Sequence, residues 1–397
     1  NTAYRRQRQM GIRDRSTKAH NIIEIQNFSI GATSNNKFTS NNFKAIAVGK
    51  GGLIWAGTQY EGLYIYSPKY NIWTKSDSLA NVFINDIKAD PDSGIWIAQS
   101  GVQAQGNNGS NIAGGVNHFR LATDQVMEFY SVVGTTTGAY LTSRNAKGLY
   151  LDPNYKEARG KLPRPWVALG VWKSSSSGNP LRGGVNVGLN AAQPYFDNIN
   201  YGFAILGSPT HWGLSVAGNN EEVWVATRFN QGSSTLNRYL PNKHFIGYIT
   251  PANTPEFPVG FEAQAMLFDT HGNKWVGLKN GGLRILSNKI WYTMNSNFFF
   301  PPGTQVNFNA MVEDEYGNVF IGTSNGLLKF KNPDNAALAA PDNFSAYEHY
   351  TTTNGLLNDN ITGLAYDKKN HKVLITSSGG VTFMKISPPH ISGAVFN

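Results

Sequence analysis

The sequence of 397 residues contains no cysteine, few charged residues and no long apolar run. The lack of cysteine excludes disulfides, thiolate metal sites and cysteine nucleophiles. No stretch approaches the roughly 20 consecutive apolar residues that a membrane-spanning helix needs, so we expect no membrane insertion by this chain. Charged residues make up only 15% of the sequence, which together with the glycine and aromatic content fits a globular all-β protein and not a disordered one.

Motifs of common enzymes and cofactor sites are also missing. The eight histidines show no zinc-binding spacing, and no P-loop, dinucleotide fingerprint, nucleophile elbow or EF-hand loop is present. We therefore predict no catalytic residues, no metal site and no cofactor. A polysaccharide lyase or hydrolase whose residues are scattered over the fold remains an open alternative, because such a site leaves no local motif.

The net charge of +9 is concentrated at one end of the chain. Arginines and a lysine crowd the first 18 residues, whereas the rest of the chain has no basic helix and no recognisable nucleic-acid motif. We expect no nucleic-acid partner. Residues 1–21 are interpreted as a basic N-terminal tail, and they lack the apolar region of a signal peptide.

Glycine and aromatic residues are abundant, with 42 glycines and 12% aromatics. Glycine permits tight turns, and aromatic residues favour strands. Both occur in a phrase that is clearest from Asp269 to Ile285, where a turn with aspartate and glycine precedes the strand that begins near Trp275. A second turn, ending at Gly282, leads into another strand. The phrase recurs along the chain and predicts repeated β-hairpins.

The repeats indicate a β-propeller. Equivalent second-strand positions are separated by 41 to 70 residues, whereas a four-stranded propeller blade typically spans about 40–50 residues, and loops account for the longer gaps. These markers predict seven blades. They are Trp55, Trp96, Trp166, Trp224, Trp275, Phe320 and Leu374.

The two ends of the repeat array complement each other. The last unit stops one strand short at Ile386, and a strand without a unit of its own runs from Ile22 to Phe28. A ring of blades leaves exposed edges unless it is closed. We therefore predict an all-β, seven-bladed β-propeller over residues 22–386, closed by the N-terminal strand, with residues 387–397 as a C-terminal tail or linker.

The repeated residues are predicted to be structural. The five tryptophans at equivalent positions are expected to pack between blades, since stacked repeats bury such side chains. Asp269 and Asp314 are expected to shape the first turn by accepting backbone N–H bonds.

The irregular loops are the candidate binding residues. In a four-stranded antiparallel blade, the second-to-third loops and the blade-to-blade connections share one face, here named the loop face; the other turns share the turn face. Loops on a rigid scaffold often bind ligands, although ordinary loop decoration is equally compatible with the sequence. Amide and aromatic groups suit sugars, and cations suit carboxylates or phosphates. The candidates are Tyr60, Gln103, Gln105, Asn108, Lys173, Arg182, Trp212, Arg228 and Phe299.

The phrase resembles the two-component-regulator propeller repeat. Asp269–Ile285 and Asp314–Phe330 match that repeat best, and the stretch from Thr353 to Ile361 resembles the family's link between blades. The resemblance implies the periplasm or cell surface of a Gram-negative bacterium, of the Bacteroidetes, where such propellers form parts of hybrid sensor kinases and commonly bind oligosaccharides.

The expected function is therefore binding or sensing without catalysis. The expected partners are an oligosaccharide or lipopolysaccharide-type glycan, or an envelope protein. The same repeat also builds PorZ-like components of the type IX secretion system, so a secretion scaffold is the first alternative. A propeller-type polysaccharide lyase or hydrolase is the second.

Overall fold

Short antiparallel strands joined by turns make up the regular structure. The computed structural model describes residues 22–31, 38–76, 83–90, 94–100, 114–120, 125–130, 141, 145–156, 163–170, 172–173, 180–181, 184–188, 196–198, 211–229, 234–295, 300–331 and 347–386. Within these ranges the elements that are not strands are two single-turn 3-10 helices, Lys50–Gly52 and Thr352–Asn354.

Thirty strands are present in the described ranges. The first half of the chain contains β1 (Ile22–Phe28), β2 (Phe43–Val48), β3 (Ile54–Thr58), β4 (Leu63–Ser67), β5 (Ile72–Lys75), β6 (Phe83–Asp90), β7 (Gly94–Ser100), β8 (Gly115–Arg120), β9 (Gln125–Tyr130), β10 (Asn145–Lys156), β11 (Pro163–Gly170), β12 (Trp172–Lys173), β13 (Pro180–Leu181), β14 (Gly184–Gly188) and β15 (Phe196–Asn198). The second half contains β16 (His211–Gly218), β17 (Val223–Phe229), β18 (Ser234–Tyr239), β19 (Phe245–Ile249), β20 (Ala263–Phe268), β21 (Lys274–Leu278), β22 (Leu283–Ser287), β23 (Ile290–Met294), β24 (Val306–Glu313), β25 (Val319–Thr323), β26 (Gly326–Phe330), β27 (Tyr347–Tyr350), β28 (Ile361–Asp367), β29 (Lys372–Ser377) and β30 (Gly380–Ile386).

The described strands form six blades around a central channel. Five blades are four-stranded sheets: β2–β5, β16–β19, β20–β23, β24–β27, and β28–β30 with β1. The remaining blade is an eight-stranded sheet, here named the double blade, which contains β6–β11, β14 and β15. The strands β2, β6, β10, β16, β20, β24 and β28 each pack against the next in a closed ring, and we refer to them as the inner strands.

The prediction of seven blades is wrong. The described strands form six, because the second and third repeat units are joined into one sheet, the double blade. The join is the pairing of Ser100, at the end of β7, with Asn145, at the start of β10. Asn85 stabilises the join by donating hydrogen bonds to Ser100 Oγ at 2.7 Å and to the carbonyl of Ala146 at 2.5 Å. The spacing of repeats does not report such side-chain contacts.

The ring is closed by strands from the two ends of the described chain. β1 pairs antiparallel with β30, with Ile22 opposite Ile386 and Phe28 opposite Val381. The N-terminal strand is thus the outer strand of the last blade, where the sequence analysis placed it. At the inner rim β28 packs against β2. The pairing of β1 with β30 therefore ties the N-terminal strand into the last blade.

Each repeated tryptophan packs against the following unit. The rings of Trp275 and Phe330 lie 5.2 Å apart, and those of Trp224 and Phe268 lie 5.4 Å apart. All of these tryptophans are buried, and deleting such a side chain typically costs about 3–5 kcal/mol. The corresponding contacts with the next unit are made by Trp55, Trp96 and Trp166.

The glycine two residues after the tryptophan permits close packing between blades. A Cβ at Gly277 would lie 2.4 Å from Val306 Cγ1 of the next inner strand. Gly57 has the same relationship to Ile84, at 2.3 Å. These glycines lie within strands, so the phrase requires them for inter-blade packing and not only for its turns.

The inner strands share a bulge near their starts. In each of them the register shifts after one of the first residues, and we call the first bulged residue the bulge position. These strands begin at the blade-to-blade connections, so the bulge position lies near the loop face. Its occupants are Lys44, Asn85, Lys147, Leu214, Gln264, Asn307 and Thr362.

The bulge of β24 is the longest and crosses the channel. It lies between Val306 and Met311, and its Asn309 has a left-handed backbone with a φ of 53°. Asn309 Nδ2 donates a hydrogen bond of 2.9 Å to the carbonyl of Lys147 in β10, which lies across the ring from β24. A Cβ at Gly148 would lie 3.3 Å from Asn309 Oδ1. The central channel is therefore bridged near the loop face.

Candidate functional site

Part of the predicted ligand-binding set is described. Tyr60, Trp212 and Arg228 are described with their side chains, and all three lie at the loop face. For Lys173 the structure gives only the backbone, which forms part of β12. The remaining candidates lie outside the described residues; they are Gln103, Gln105, Asn108, Arg182 and Phe299.

Trp212 and Arg228 form a platform at the loop face. They are paired across β16 and β17, and the guanidinium carbon of Arg228 lies 5.6 Å from the centre of the Trp212 ring. Arg228 is held by an ion pair of 2.8 Å with Glu262, which also lies 3.6 Å from the Lys279 ammonium. Trp212 remains 38% exposed. Because the cation is anchored, the indole is presented to solvent in a fixed orientation.

Tyr60 belongs to a second row of side chains. Its ring is 57% exposed and lies edge-on to Phe83, with the ring centres 5.9 Å apart. Its hydroxyl accepts a hydrogen bond of 3.0 Å from Gln59, and Gln59 in turn accepts one of 2.6 Å from Asn42. The Lys147 ammonium lies 5.9 Å from the centre of the Phe83 ring. The row therefore offers an aromatic ring, two amides and a cation.

The platform and the row lie on neighbouring parts of the ring. Phe83 is at the start of β6, Lys147 is in β10 and Trp212 is at the start of β16, and these inner strands are consecutive. Together with Tyr60 and Arg228 they form the loop-face arc. The structure thus brings Trp212 and Arg228 into direct contact, while the contacts of Tyr60 are with Gln59 and Phe83.

Two cations near the loop face were not predicted from the sequence. Lys44 and Lys147 both occupy the bulge position, and burial lowers the pKa of each. Neither has an ion pair with a carboxylate in the described ranges. The sequence signal that identifies them is a lysine just after the start of an inner strand, where the other repeat units have asparagine, glutamine, threonine or leucine.

Asp269 and Asp314 shape their turns. Asp269 accepts hydrogen bonds from the backbone N–H of Asn273 at 2.8 Å and from the Trp275 indole at 2.7 Å. Asp314 accepts the backbone N–H of Asn318 at 2.8 Å and its side-chain amide at 2.7 Å. The aspartate therefore orders the turn, and in the first case it also orients the inter-blade tryptophan.

Glu222 takes over the contact with tryptophan in the blade of β16–β19. Its carboxylate accepts the Trp224 indole at 2.7 Å and forms ion pairs with Lys274 at 2.8 Å and Arg238 at 3.0 Å. Burial alone would raise the pKa of Glu222, but the hydrogen bonds from Lys274 and Trp224 and the two positive charges hold that pKa below its usual range. The cluster links two blades at the turn face, away from the loop-face arc.

The described ranges contain neither a cluster of metal-binding side chains nor a membrane-spanning helix. No group of three or more histidine, aspartate or glutamate side chains is placed there to hold a metal ion. None of the helices in those ranges has the length and apolar character that spanning a bilayer requires.

Comparison with solved structures identifies related propellers. The chain matches the extracellular domain of the hybrid two-component system BT3049 from B. thetaiotaomicron with a TM-score of 0.62 and 16% identity, over 92% of this chain and 42% of that one. It matches the extracellular domain of the one-component system BT4673 from the same organism with a TM-score of 0.60 and 15% identity, over 91% and 40%. PorZ, a surface component of the type-IX secretion system of Porphyromonas gingivalis, matches with a TM-score of 0.51 and 14% identity, over 89% and 48%.

The chain has the fold of these propellers. The resemblance to two-component-regulator propellers, predicted from the repeat, is thereby confirmed at the level of the fold. This chain spans less than half the length of the solved chains that it matches. No protein-family model and no curated protein matches the sequence.

Proposed function

We propose that the chain is a non-enzymatic binding propeller of the bacterial envelope, and that its loop-face arc recognises an oligosaccharide. The observation that carries the proposal is the platform. An ion pair of 2.8 Å with Glu262 holds the Arg228 guanidinium beside the Trp212 ring, and the indole stays exposed. A solvent-facing aromatic ring with a fixed orientation offers the flat apolar surface on which a sugar ring packs.

The polar groups of the Tyr60 row support the same ligand class. Asn42 and Gln59 are joined by a hydrogen bond of 2.6 Å and lie beside the exposed Tyr60. Side-chain amides both donate and accept hydrogen bonds, as sugar hydroxyls do. The arc places Tyr60 and its neighbouring amides some distance from Trp212, and this arrangement suits an extended chain of sugars better than a small compact ligand.

The envelope location and the sensing role draw on the related propellers. Two of them are extracellular domains of regulatory systems, and a third is a surface component of a secretion system. A propeller of the same fold in the same setting would present its loop face to extracellular or periplasmic glycans.

A glycan array followed by calorimetric titration of the purified chain tests the proposal. We expect binding to at least one class of microbial or host polysaccharide. Trp212→Ala and Tyr60→Ala should each weaken it at least about fivefold, because each removes a contact worth on the order of 1 kcal/mol. The matched control is Tyr70→Ala, which removes a tyrosine that is 67% exposed in the β4–β5 turn, on the turn face. Equal effects of Tyr60→Ala and Tyr70→Ala would refute the proposed site.

A secretion scaffold is the second candidate, favoured by the match to PorZ. In that case the loop face would hold a protein of the secretion machinery. Affinity capture from native envelopes should then recover a secretion component with the parent chain but not with Trp212→Ala. Recovery of the same proteins by both chains, or of none, would count against this function.

A further inference from the structure

Two groups of residues at the bulge position differ in the hydrogen bonds that their side chains make. Asn85, Asn307 and Thr362 turn sideways and donate to the carbonyl of a residue at the start of the next inner strand, at 2.5–2.6 Å. Lys44 and Lys147 occupy the same position in β2 and β10, on either side of Asn85 in the ring. In the described ranges these two lysines form no such bond.

The surroundings of Lys147 place its ammonium near the loop face. The Lys147 ammonium lies 5.9 Å from the centre of the Phe83 ring, and its Cε lies 3.5 Å from where a Cβ of Gly170 would be. Phe83 begins β6 and Gly170 ends β11, so both lie at the loop-face ends of their strands. The Lys147 side chain therefore points toward the loop face, where its ammonium lies beside Phe83 of the Tyr60 row.

The carboxylates of Asp86 and Glu262 already form ion pairs with other cations. Asp86 pairs with Lys88 at 3.2 Å and accepts the backbone N–H of Leu149. Glu262 forms ion pairs with Arg228 and Lys279 in the platform. Lys44 and Lys147 are thus half-buried cations without a carboxylate in the described ranges, an arrangement that disfavours the charged form until an anion supplies the missing partner.

The floor of this region is supplied by the β24 bulge. Asn309 bridges the channel to Lys147, and the neighbouring Phe308 is 40% exposed. The bridge separates the mouth at the loop face from the rest of the channel. A ligand that enters from the loop face and reaches this floor meets the ammonium of Lys147, and Lys44 occupies the same bulge position on the other side of β6.

We propose that Lys44 and Lys147 form a subsite for the carboxylate of an acidic sugar, so that the ligand of the loop-face arc is a uronate-containing oligosaccharide. The inference rests on the proposed function and specifies its ligand class. A charge-assisted hydrogen bond to a carboxylate would replace the hydration that burial has removed from each ammonium. The aromatic rings of Tyr60 and Trp212, on either side along the arc, would pack against the adjoining sugars.

The test compares uronate oligosaccharides with their methyl esters, which keep the sugar backbone and remove the charge. The probes are oligogalacturonate, oligoguluronate and oligoglucuronate, each titrated in both forms at low and high salt. We expect at least one acidic form to bind at least about tenfold more tightly than its ester at low salt, and the difference to shrink at high salt. Inorganic phosphate and sulfate are titrated separately as free anions.

Charge-removing variants locate the effect. Lys44→Met and Lys147→Met should each remove most of the preference for the acidic form. Lys369→Met, in the exposed β28–β29 turn on the turn face, should leave it unchanged. Because burying an unpaired cation is unfavourable, the two mouth variants should also match or exceed the parent chain in melting temperature without ligand, which excludes misfolding as the cause of lost binding.

The outcomes separate the two proposals. If esters and acids bind equally, and Trp212→Ala abolishes binding of both, the glycan function stands and the carboxylate subsite is refuted. If neither form nor any glycan of the array binds, the proposed function itself fails. Saturable binding of inorganic phosphate that displaces the acidic sugar completely would also overturn the subsite, by assigning the lysines to a free anion.

Discussion

Thr362 Oγ1 donates a hydrogen bond of 2.6 Å to the carbonyl of Phe43, although 319 residues separate the two along the chain. Both residues are buried. The bond joins the last inner strand, β28, to the first, β2, and complements the pairing of β1 with β30 at the outer rim. The ring is therefore closed at its inner and its outer edge.

Replacing Thr362 with valine should destabilise the ring. The valine keeps the shape of the side chain but removes a buried hydrogen bond, so we expect a loss of about 1–2 kcal/mol in the free energy of unfolding. Chemical denaturation of the purified variant measures this loss. Thr74→Val, on the exposed side of the outer strand β5, is the matched control and should change stability by less than about 0.5 kcal/mol.

Gly277→Ala should be destabilising through packing and not through backbone strain. The added Cβ would meet Val306 Cγ1 at 2.4 Å, so the two blades must move apart, at a cost of about 1–3 kcal/mol. Combining it with Val306→Ala should be less damaging than the sum of the two single changes, since the second substitution makes room for the first. Simple additivity in thermal unfolding would contradict this account.

The sequence predicts best those features that depend on local chemistry. The turn at Asp269, the tryptophan strand and the pairing of the two terminal strands follow from residues close together in sequence or from an obvious missing strand. The merging of two repeat units depends on how Asn85 and Asn145 meet Ser100, which spacing does not encode. Side chains from distant segments thus decided the blade number.

In the candidate site too, some residues were predicted from the sequence and others were missed. The sequence placed Tyr60 and Trp212 on the loop face because strand order determines where loops lie. It missed Lys147, because a bulge shifts the register of β10 and brings that lysine to the channel mouth. It also missed the function of Glu222, which binds the Trp224 indole from two residues away, whereas Asp269 binds the Trp275 indole from six.

The Glu222 cluster should make stability depend on pH. Its pKa is held low in the folded chain, so the ionised carboxylate stabilises the fold above the ordinary glutamate pKa, and this contribution is lost as pH falls through the folded pKa. Glu222→Gln should lower the free energy of unfolding by about 2–4 kcal/mol at neutral pH, because it removes the ion pairs with Lys274 and Arg238. The difference from the parent chain should shrink below about pH 4.3.

Denaturation of both chains over a range of pH measures the effect. The control is Glu221→Gln, which alters an exposed glutamate in the same turn. It should leave the pH profile close to that of the parent chain. A constant difference between Glu222→Gln and the parent at every pH would show that the cluster acts through packing alone.

The channel bridge predicts a contrast between two substitutions at one position. Asn309→Gly removes the hydrogen bond to Lys147, but glycine accommodates the left-handed backbone. We therefore expect the free energy of unfolding to fall by about 1 kcal/mol. Asn309→Ala should lose about 1 kcal/mol more, because a Cβ is disfavoured in that conformation. Equal stabilities of the two variants in chemical denaturation would argue against the bridge geometry.

Ligand is expected to bind at the loop face and not at the turn face. Hydrogen–deuterium exchange of the chain with and without the tightest-binding oligosaccharide of the array tests it most directly, because each face contributes separate peptides. We expect protection around Gln59–Gly62, Lys147 and Trp212, with the turns at Asp269–Asn273 and Asp314–Asn318 unchanged. Protection confined to those turns, with none at Tyr60 or Trp212, would contradict it.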